Sequence, residues 1–179
     1  FRLVVADGMA ATVGGAGFVM GTRGVQQISG VDRPGVVGFD ASFNSGGDFI
    51  RLDKVASAYT IFRDGSAAQI SDGDTILTLP FGTSATYLVF ADGVRSLRYD
   101  QQAATAKIGT QGFSTLPTTI TATAEAAPDP ALAAAARGRI WLSQEAEVVA
   151  GGNLDVFGSN LAERLELVLG DMRLDPSFN

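Results

Sequence analysis

Glycine is the feature that most narrows what this chain can fold into. It stands at 22 of 179 positions and cuts the apolar segments into short pieces. Residues 2–6 and 9–13 are brief apolar runs, and Gly14-Gly15-Ala16-Gly17 interrupts the second. Val25, Ile28, Val31 and Val36-Val37 then recur between Gly24, Gly30, Gly35 and Gly38. Runs this short, bounded by Gly, read as strands joined by tight turns, because a helix needs a longer unbroken 3.6-residue period. The stretch from Leu161 to Leu169 is less broken and suits either a strand or a short helix.

The middle of the chain carries hairpin signals. Tyr59-Thr60-Ile61-Phe62, Ala67 to Ile70, Thr75 to Leu79, Thr86 to Phe90 and Val94 to Tyr99 are separated by Asp64-Gly65, Asp72-Gly73, a Pro80-Phe81-Gly82-Thr83 break and Asp92-Gly93. Asp-Gly between β-branched and aromatic runs favours type I′ turns, whose positive φ both residues tolerate. We therefore expect an antiparallel meander of about five strands over residues 58–110, by the usual strand and hairpin signals. Residues 113–137 turn from Thr/Pro-rich to Ala-rich. Asp129-Pro130, then Ala131 to Ala136 and Gly138, supply an N-cap, a Pro at the first helical position and a terminating Gly. This segment reads as a linker with a short helix.

The chain also repeats itself. Arg2-Leu3-Val4-Val5, Gly14-Gly15 and Val19-Met20-Gly21 match Arg139-Ile140-Trp141-Leu142, Gly151-Gly152 and Val156-Phe157-Gly158 at an offset of 137. Phe39-Asp40-Ala41-Ser42-Phe43-Asn44 matches Leu174-Asp175-Pro176-Ser177-Phe178-Asn179 at 135, so a loop differs by two residues. The expected division is a first β unit over 1–112, a linker over 113–137 and the opening strands of a second unit over 138–179. The start at Phe1 and the partial second copy suggest a piece of a longer protein. Taken together, the expected fold is all-β: an antiparallel meander on a Gly-rich strand layer, as a β-sandwich or a short β-solenoid, with a short Ala-rich helical connector.

Composition removes most familiar chemistry. The chain has no His and no Cys, which excludes Ser-His-Asp triads, Cys nucleophiles, disulfides and the usual zinc and haem sites. A net charge of −6 disfavours nucleic acid and anionic membranes, and no apolar run approaches a membrane span. Asp53, Asp64, Asp72, Asp74, Asp92 and Asp100 are the carboxylates available for acid–base work, but several sit in or beside Asp-Gly turns that account for them. We read the chain as non-enzymatic.

An acidic, oxygen-rich chain suits calcium better. Asp40, Ser42, Asn44 and Asp48 place side-chain oxygens at alternate loop positions, and these are the candidate metal ligands. Counted as an EF-hand loop they fall at positions 1, 3, 5 and 9, but Ser45 stands where Gly belongs and Arg51 where the bidentate Glu belongs. The same residues also suit an Asx-type turn. Gly46-Gly47-Asp48-Phe49-Ile50, ending at Leu52, echoes half of a calcium-binding β-roll nonapeptide; Asp72 to Ile76 begins similarly and does not carry through. Tyr59, Phe62, Phe81, Tyr87, Phe90 and Tyr99 suit either core packing or a sugar-stacking strip. Trp141, which aligns with Val4, reads as packing.

The order of Asp40 to Ile50, Tyr59-Thr60, Ile76 to Pro80, Leu88 to Leu97 and Lys107-Ile108-Gly109 resembles a repeat of large secreted alphaproteobacterial surface proteins of RTX or S-layer-like, adhesin type. The resemblance spans about residues 39–110. It implies an extracellular or cell-surface location, assembly in tandem with neighbouring copies, and calcium dependence. The function expected is a structural repeat module of an extracellular filament, surface layer or adhesin, with a polysaccharide-binding module as the alternative. Tyr87 and Tyr99 are the residues on which that alternative would rest.

Overall fold

The computed structural model describes residues 1–31, 33–45, 47–130, 132–133, 135–143, 147–158, 164–167 and 170–175. They form a β-solenoid of about nine turns, so of the two layered forms the sequence allows, the solenoid is adopted. Six strands open it: β1 (Arg2–Val4), β2 (Ala10–Gly14), β3 (Gly17–Met20), β4 (Gln27–Ser29), β5 (Gly35–Phe39) and β6 (Phe49–Arg51). Of these six, β1, β3 and β5 lie in a front sheet and β2, β4 and β6 in a back sheet. Within each sheet these six pair in parallel, β1-β3-β5 and β2-β4-β6. Each circuit of front strand, corner and back strand is one coil.

Period-2 alternation builds the core. Leu3, Val19, Val37 and Phe39 from the front sheet meet Ala11, Val13, Ile28 and Ile50 from the back, and all are buried. Such burial is worth about 1.5–3 kcal/mol for each large side chain. Glycine allows the coils to close on one another. Gly30 turns at φ +74°, and a Cβ there would lie 2.9 Å from Thr12 Cγ2 on the preceding coil.

The expected meander is present, but split between the sheets. β7 (Thr60–Asp64), β8 (Ala67–Ser71) and β9 (Thr75–Pro80) form an antiparallel run in the front sheet. β10 (Thr86–Phe90), β11 (Gly93–Asp100), β12 (Thr105–Ile108) and β13 (Gln111–Phe113) form another in the back sheet. The Pro80 to Thr83 break is the corner between them. Its Phe81 turns into the core against Phe113, with ring centroids 5.8 Å apart. β9 and β10 thus continue the parallel stack, beside β5 and β6 respectively. The hairpins extend that end of the solenoid antiparallel. The Asp64-Gly65 turn differs in type from the expectation: Asp64 pairs with Ala67, leaving Gly65-Ser66 as the loop, and only Gly65 has positive φ (60°). Glycine at the first central position is the type II′ pattern rather than I′.

The Ala-rich connector is not helical where it is described. β14 (Thr118–Thr119) pairs with β7, and the chain then runs extended. Glu125 bridges Val94, and Ala133 N donates to Gly8 O at 2.7 Å. Around Ala135 there is a turn, with Ala136 N donating to Ala133 O; Ala131 and Ala134 lie outside the described residues. The reason is distance. The segment leads from the hairpin end of the solenoid back to β1, and extended chain covers about 3.3 Å per residue against 1.5 Å in a helix.

On arrival the chain does not extend the first stack. β15 (Gly138–Trp141) pairs antiparallel with β1, and β16 (Glu147–Gly152) antiparallel with β2. β17 (Leu154–Phe157), β18 (Arg164–Leu167) and β19 (Met172–Leu174) then stack in parallel away from that seam. The repeat offset is written into the register. Leu3 faces Ile140 and Val13 faces Ala150, each pair 137 apart, as a two-fold axis through the seam requires. The pairs of β1 with β3 and β2 with β4 recur residue for residue in β15 with β17 and β16 with β18. Phe39 beside Val19 recurs as Leu174 beside Val156, at the 135 offset. The copies are therefore joined back to back. The matching Pro176-Ser177-Phe178-Asn179 lies outside the described residues, as do residues 161–163 and 168–169 of the Leu161 to Leu169 run.

Candidate functional site

The corners that carry the chain from front to back sheet are described over residues 5–9, 21–26, 40–45 and 47–48, and they stack. Gly8 N donates to Val25 O at 2.7 Å, Gln27 N to Met9 O at 2.9 Å and Phe49 N to Gln26 O at 2.8 Å. Register then aligns one inward-facing residue per coil. Gln27 faces Phe49 and Phe49 faces Tyr87, so Gln26, Asp48 and Thr86, one position earlier, form a ladder inside the corner. All three are buried polar residues.

The four candidate ligands separate here. Asp40 caps a short 3-10 turn, Ala41–Asn44, its Oδ1 accepting from Ser42 N at 3.2 Å and Ser42 Oγ at 2.5 Å. Gly21 N, from the preceding corner, donates to Asp40 Oδ1 at 3.2 Å and to Ser42 Oγ at 3.1 Å. Asn44 makes a local contact, its Oδ1 accepting from Ser45 Oγ at 3.3 Å. Phe43 plugs the core edge-on to Phe39, at 4.9 Å between centroids. Asp48 alone is interior, and its Oδ1 accepts from Gln26 N at 2.9 Å.

Sequence reading missed Gln26, which belongs to this group. Its Nε2 donates to Thr22 Oγ1 and to Gly24 O, both at 2.7 Å. The Gly24 carbonyl cannot donate, so the amide orientation is set and Oε1 points the other way. Gln26 Oε1 and Asp48 Oδ2 are both buried and have no hydrogen-bond partner among the described residues. Burial pushes the Asp48 carboxyl up to about 7, opposed by the Gln26 N–H and reinforced by the charges of Asp40 and Asp7. Among the described residues no three carboxylates gather into an acidic cage; the oxygens here are mixed in type. The only advance signal was an isolated polar residue in an inward position, legible once the coil period is known.

The turn carboxylates have local duties. Asp72 Oδ1 accepts from Asp74 N and Thr75 N, and Lys54 Nζ lies 2.6 Å from its Oδ2. Lys107 beside Asp100, with the Ala103 N–H, holds that carboxyl down at about 2. Asp92 receives the Arg95 guanidinium at both oxygens, 3.1 and 2.8 Å, and the Ala56 N–H at 2.9 Å.

The aromatic residues do not form the strip named from sequence. Tyr59, Phe81 and Phe90 are core, and Tyr87 stacks on Phe49 at 5.0 Å. Tyr99 is half-buried beneath the Arg63 guanidinium. A different row exists on the outer face of the front sheet. Cross-strand pairing runs Phe62–Gln69–Thr78–Gly38–Phe18–Arg2–Trp141–Phe157 without a gap. Phe18 lies over Gly38, where a Cβ would come 2.7 Å from its ring. Trp141 stacks on Phe157 at 5.3 Å, and Phe18 and Trp141 are 40% and 38% exposed. Trp141 is thus an outward residue, as its repeat partner Val4 is.

No protein-family model, curated protein or solved structure matches the chain.

Proposed function

We propose that this protein is a non-catalytic structural module of an extracellular filament, surface layer or adhesin, assembling with further copies of itself. The observation that carries the reading is the back-to-back solenoid: two stacks of the same repeat share one seam and one continuous single-file core. In such quasi-one-dimensional folds each coil contacts only its neighbours, which gives stiffness along one axis. The turn carboxylates support it too: Asp72 and Asp100 accept from their own loops' N–H groups, and Asp92 holds Arg95. The test is light scattering and negative-stain microscopy over a concentration series. The reading expects ordered linear or planar assemblies; a strictly monomeric particle at every concentration would overturn it.

The outer aromatic row supports a second reading, binding of a polysaccharide along the front sheet. Adjacent strands are about 4.8 Å apart, so Phe62 to Phe157 spans about 34 Å, and aromatic faces alternating with Gln69, Thr78 and Arg2 suit an extended glycan. Retardation in polysaccharide affinity gels would be lost in Trp141→Ala and Phe18→Ala and kept in Tyr87→Ala. Equal retardation of all three variants would remove this reading.

A further inference from the structure

We infer that the stacked corner formed by residues 5–9, 21–26, 40–45 and 47–48 is a single-ion calcium site, in which Gln26 Oε1 and Asp48 Oδ2 are interior ligands and Asp7 is the entry carboxylate. This goes beyond the proposed architecture and does not depend on it. It also differs from the loop set named from sequence, since Asn44, whose Oδ1 accepts from Ser45, is left out and Gln26 and Asp7 join.

The first observation is an unmet need. Gln26 Oε1 and Asp48 Oδ2 are buried oxygens of two residues joined by the Gln26 N–H bond to Asp48 Oδ1, and neither has a hydrogen-bond partner among the described residues. Leaving such atoms unpaired forfeits their hydration with no bond in return, and most of all for a charged group. The Gln26 amide cannot flip to relieve its share, because Thr22 and Gly24 hold its Nε2.

The second observation is the surrounding shell. A Cβ at Gly21 would stand 2.7 Å from both Gln26 Oε1 and Ser42 Oγ, so these oxygens crowd the same bare backbone. A Cβ at Gly24 would overlap the Asp7 carboxylate. Both glycines leave room for oxygens that side chains would displace. Asp7 is exposed whereas Asp48 is fully buried, so Asp7 is the carboxylate that faces solvent. Asp40 and Asp7 both act on Asp48 as like charges, and Arg23, in the same corner, is exposed and makes no ion pair among the described residues. Carboxylate, amide and hydroxyl oxygens in irregular array suit calcium; magnesium demands near-octahedral geometry and keeps its waters.

The experiment is thermal unfolding of the full chain at fixed pH 7 and low protein concentration, first in EDTA, then in rising calcium, with magnesium as control. Binding to the native state alone raises the midpoint further with each tenfold increase in calcium beyond the dissociation constant. Asp48→Asn keeps the shape and the acceptor for Gln26 N, and should fold in EDTA with no calcium response. Asp7→Asn, at the surface, leaves the fold intact and should weaken calcium about 10-fold or more. Asp100→Asn should respond as the parent does. Absence of a shift in the parent chain, an equal shift with magnesium, or a calcium shift that survives both Asp48→Asn and Asp7→Asn would each overturn the site. Because it is read on the dilute chain, failure here is separable from failure of assembly.

Discussion

At the scale of single residues, the buried Asp48 is the group most sensitive to conditions. Its folded carboxyl is raised to about 7 from the ordinary 3.8 of an aspartate, so between those values the metal-free native state holds a proton that the unfolded chain has released. Its contribution is complete below about pH 4 and is lost as pH rises through about 7, at most about 1.4 kcal/mol per pH unit for one proton. Urea unfolding in EDTA from pH 4 to 7 should show stability falling, and Asp48→Asn should remove that fall. Gly21 is a complementary test of crowding. A Cβ there meets Gln26 Oε1, Ser42 Oγ and the Phe43 ring at 2.7–3.0 Å, and Gly21→Ala should cost about 1–3 kcal/mol in the same assay.

At the scale of elements, the connecting segment is held by side chains rather than by helix propensity. Arg95 reaches Ala122 O with Nε at 3.0 Å and Gly93 O with Nη1 at 2.9 Å, while its other bonds fix Asp92. Gln111 Oε1 accepts from Thr121 N and Ala122 N at 2.7 and 3.0 Å. Arg95→Met keeps the aliphatic stem and removes these donors; it should cost about 1–3 kcal/mol, with hydrogen exchange accelerated at residues 120–125 ahead of the coils. The hairpins illustrate the other side. Their strands and turns were legible from Asp-Gly and β-branched runs, but their allocation to two sheets was not. Pro80 to Thr83 reads locally as a break, and only the packing of Phe81 on Phe113 makes it a corner.

At the scale of the whole molecule, the seam is the point where both stacks depend on each other. Leu3 and Ile140 meet across it, fully buried, and Leu3→Ala should cost about 2–5 kcal/mol. Because coils contact only neighbours, native-state hydrogen exchange should grade outward: strands β1, β2, β15 and β16 most protected, β13, β14 and β19 least. Uniform protection from end to end would contradict this one-dimensional picture.

Some of this was settled by the sequence alone. Glycine spacing and β-branched runs dictate short strands, because chain entropy and side-chain sterics act locally. The offset of 137 states that two segments build alike, and the absence of His and Cys closes off whole classes of chemistry. Tertiary structure decided the rest. That the second copy meets the first antiparallel, that Gln26 lies against Asp48, and that Phe18 and Trp141 share a row with Arg2 are facts of pairing between strands distant in the chain. Local propensity contains no term for which edge a strand will join. That choice belongs to the packing of the whole core, and with it goes the identity of every neighbour a functional side chain will have.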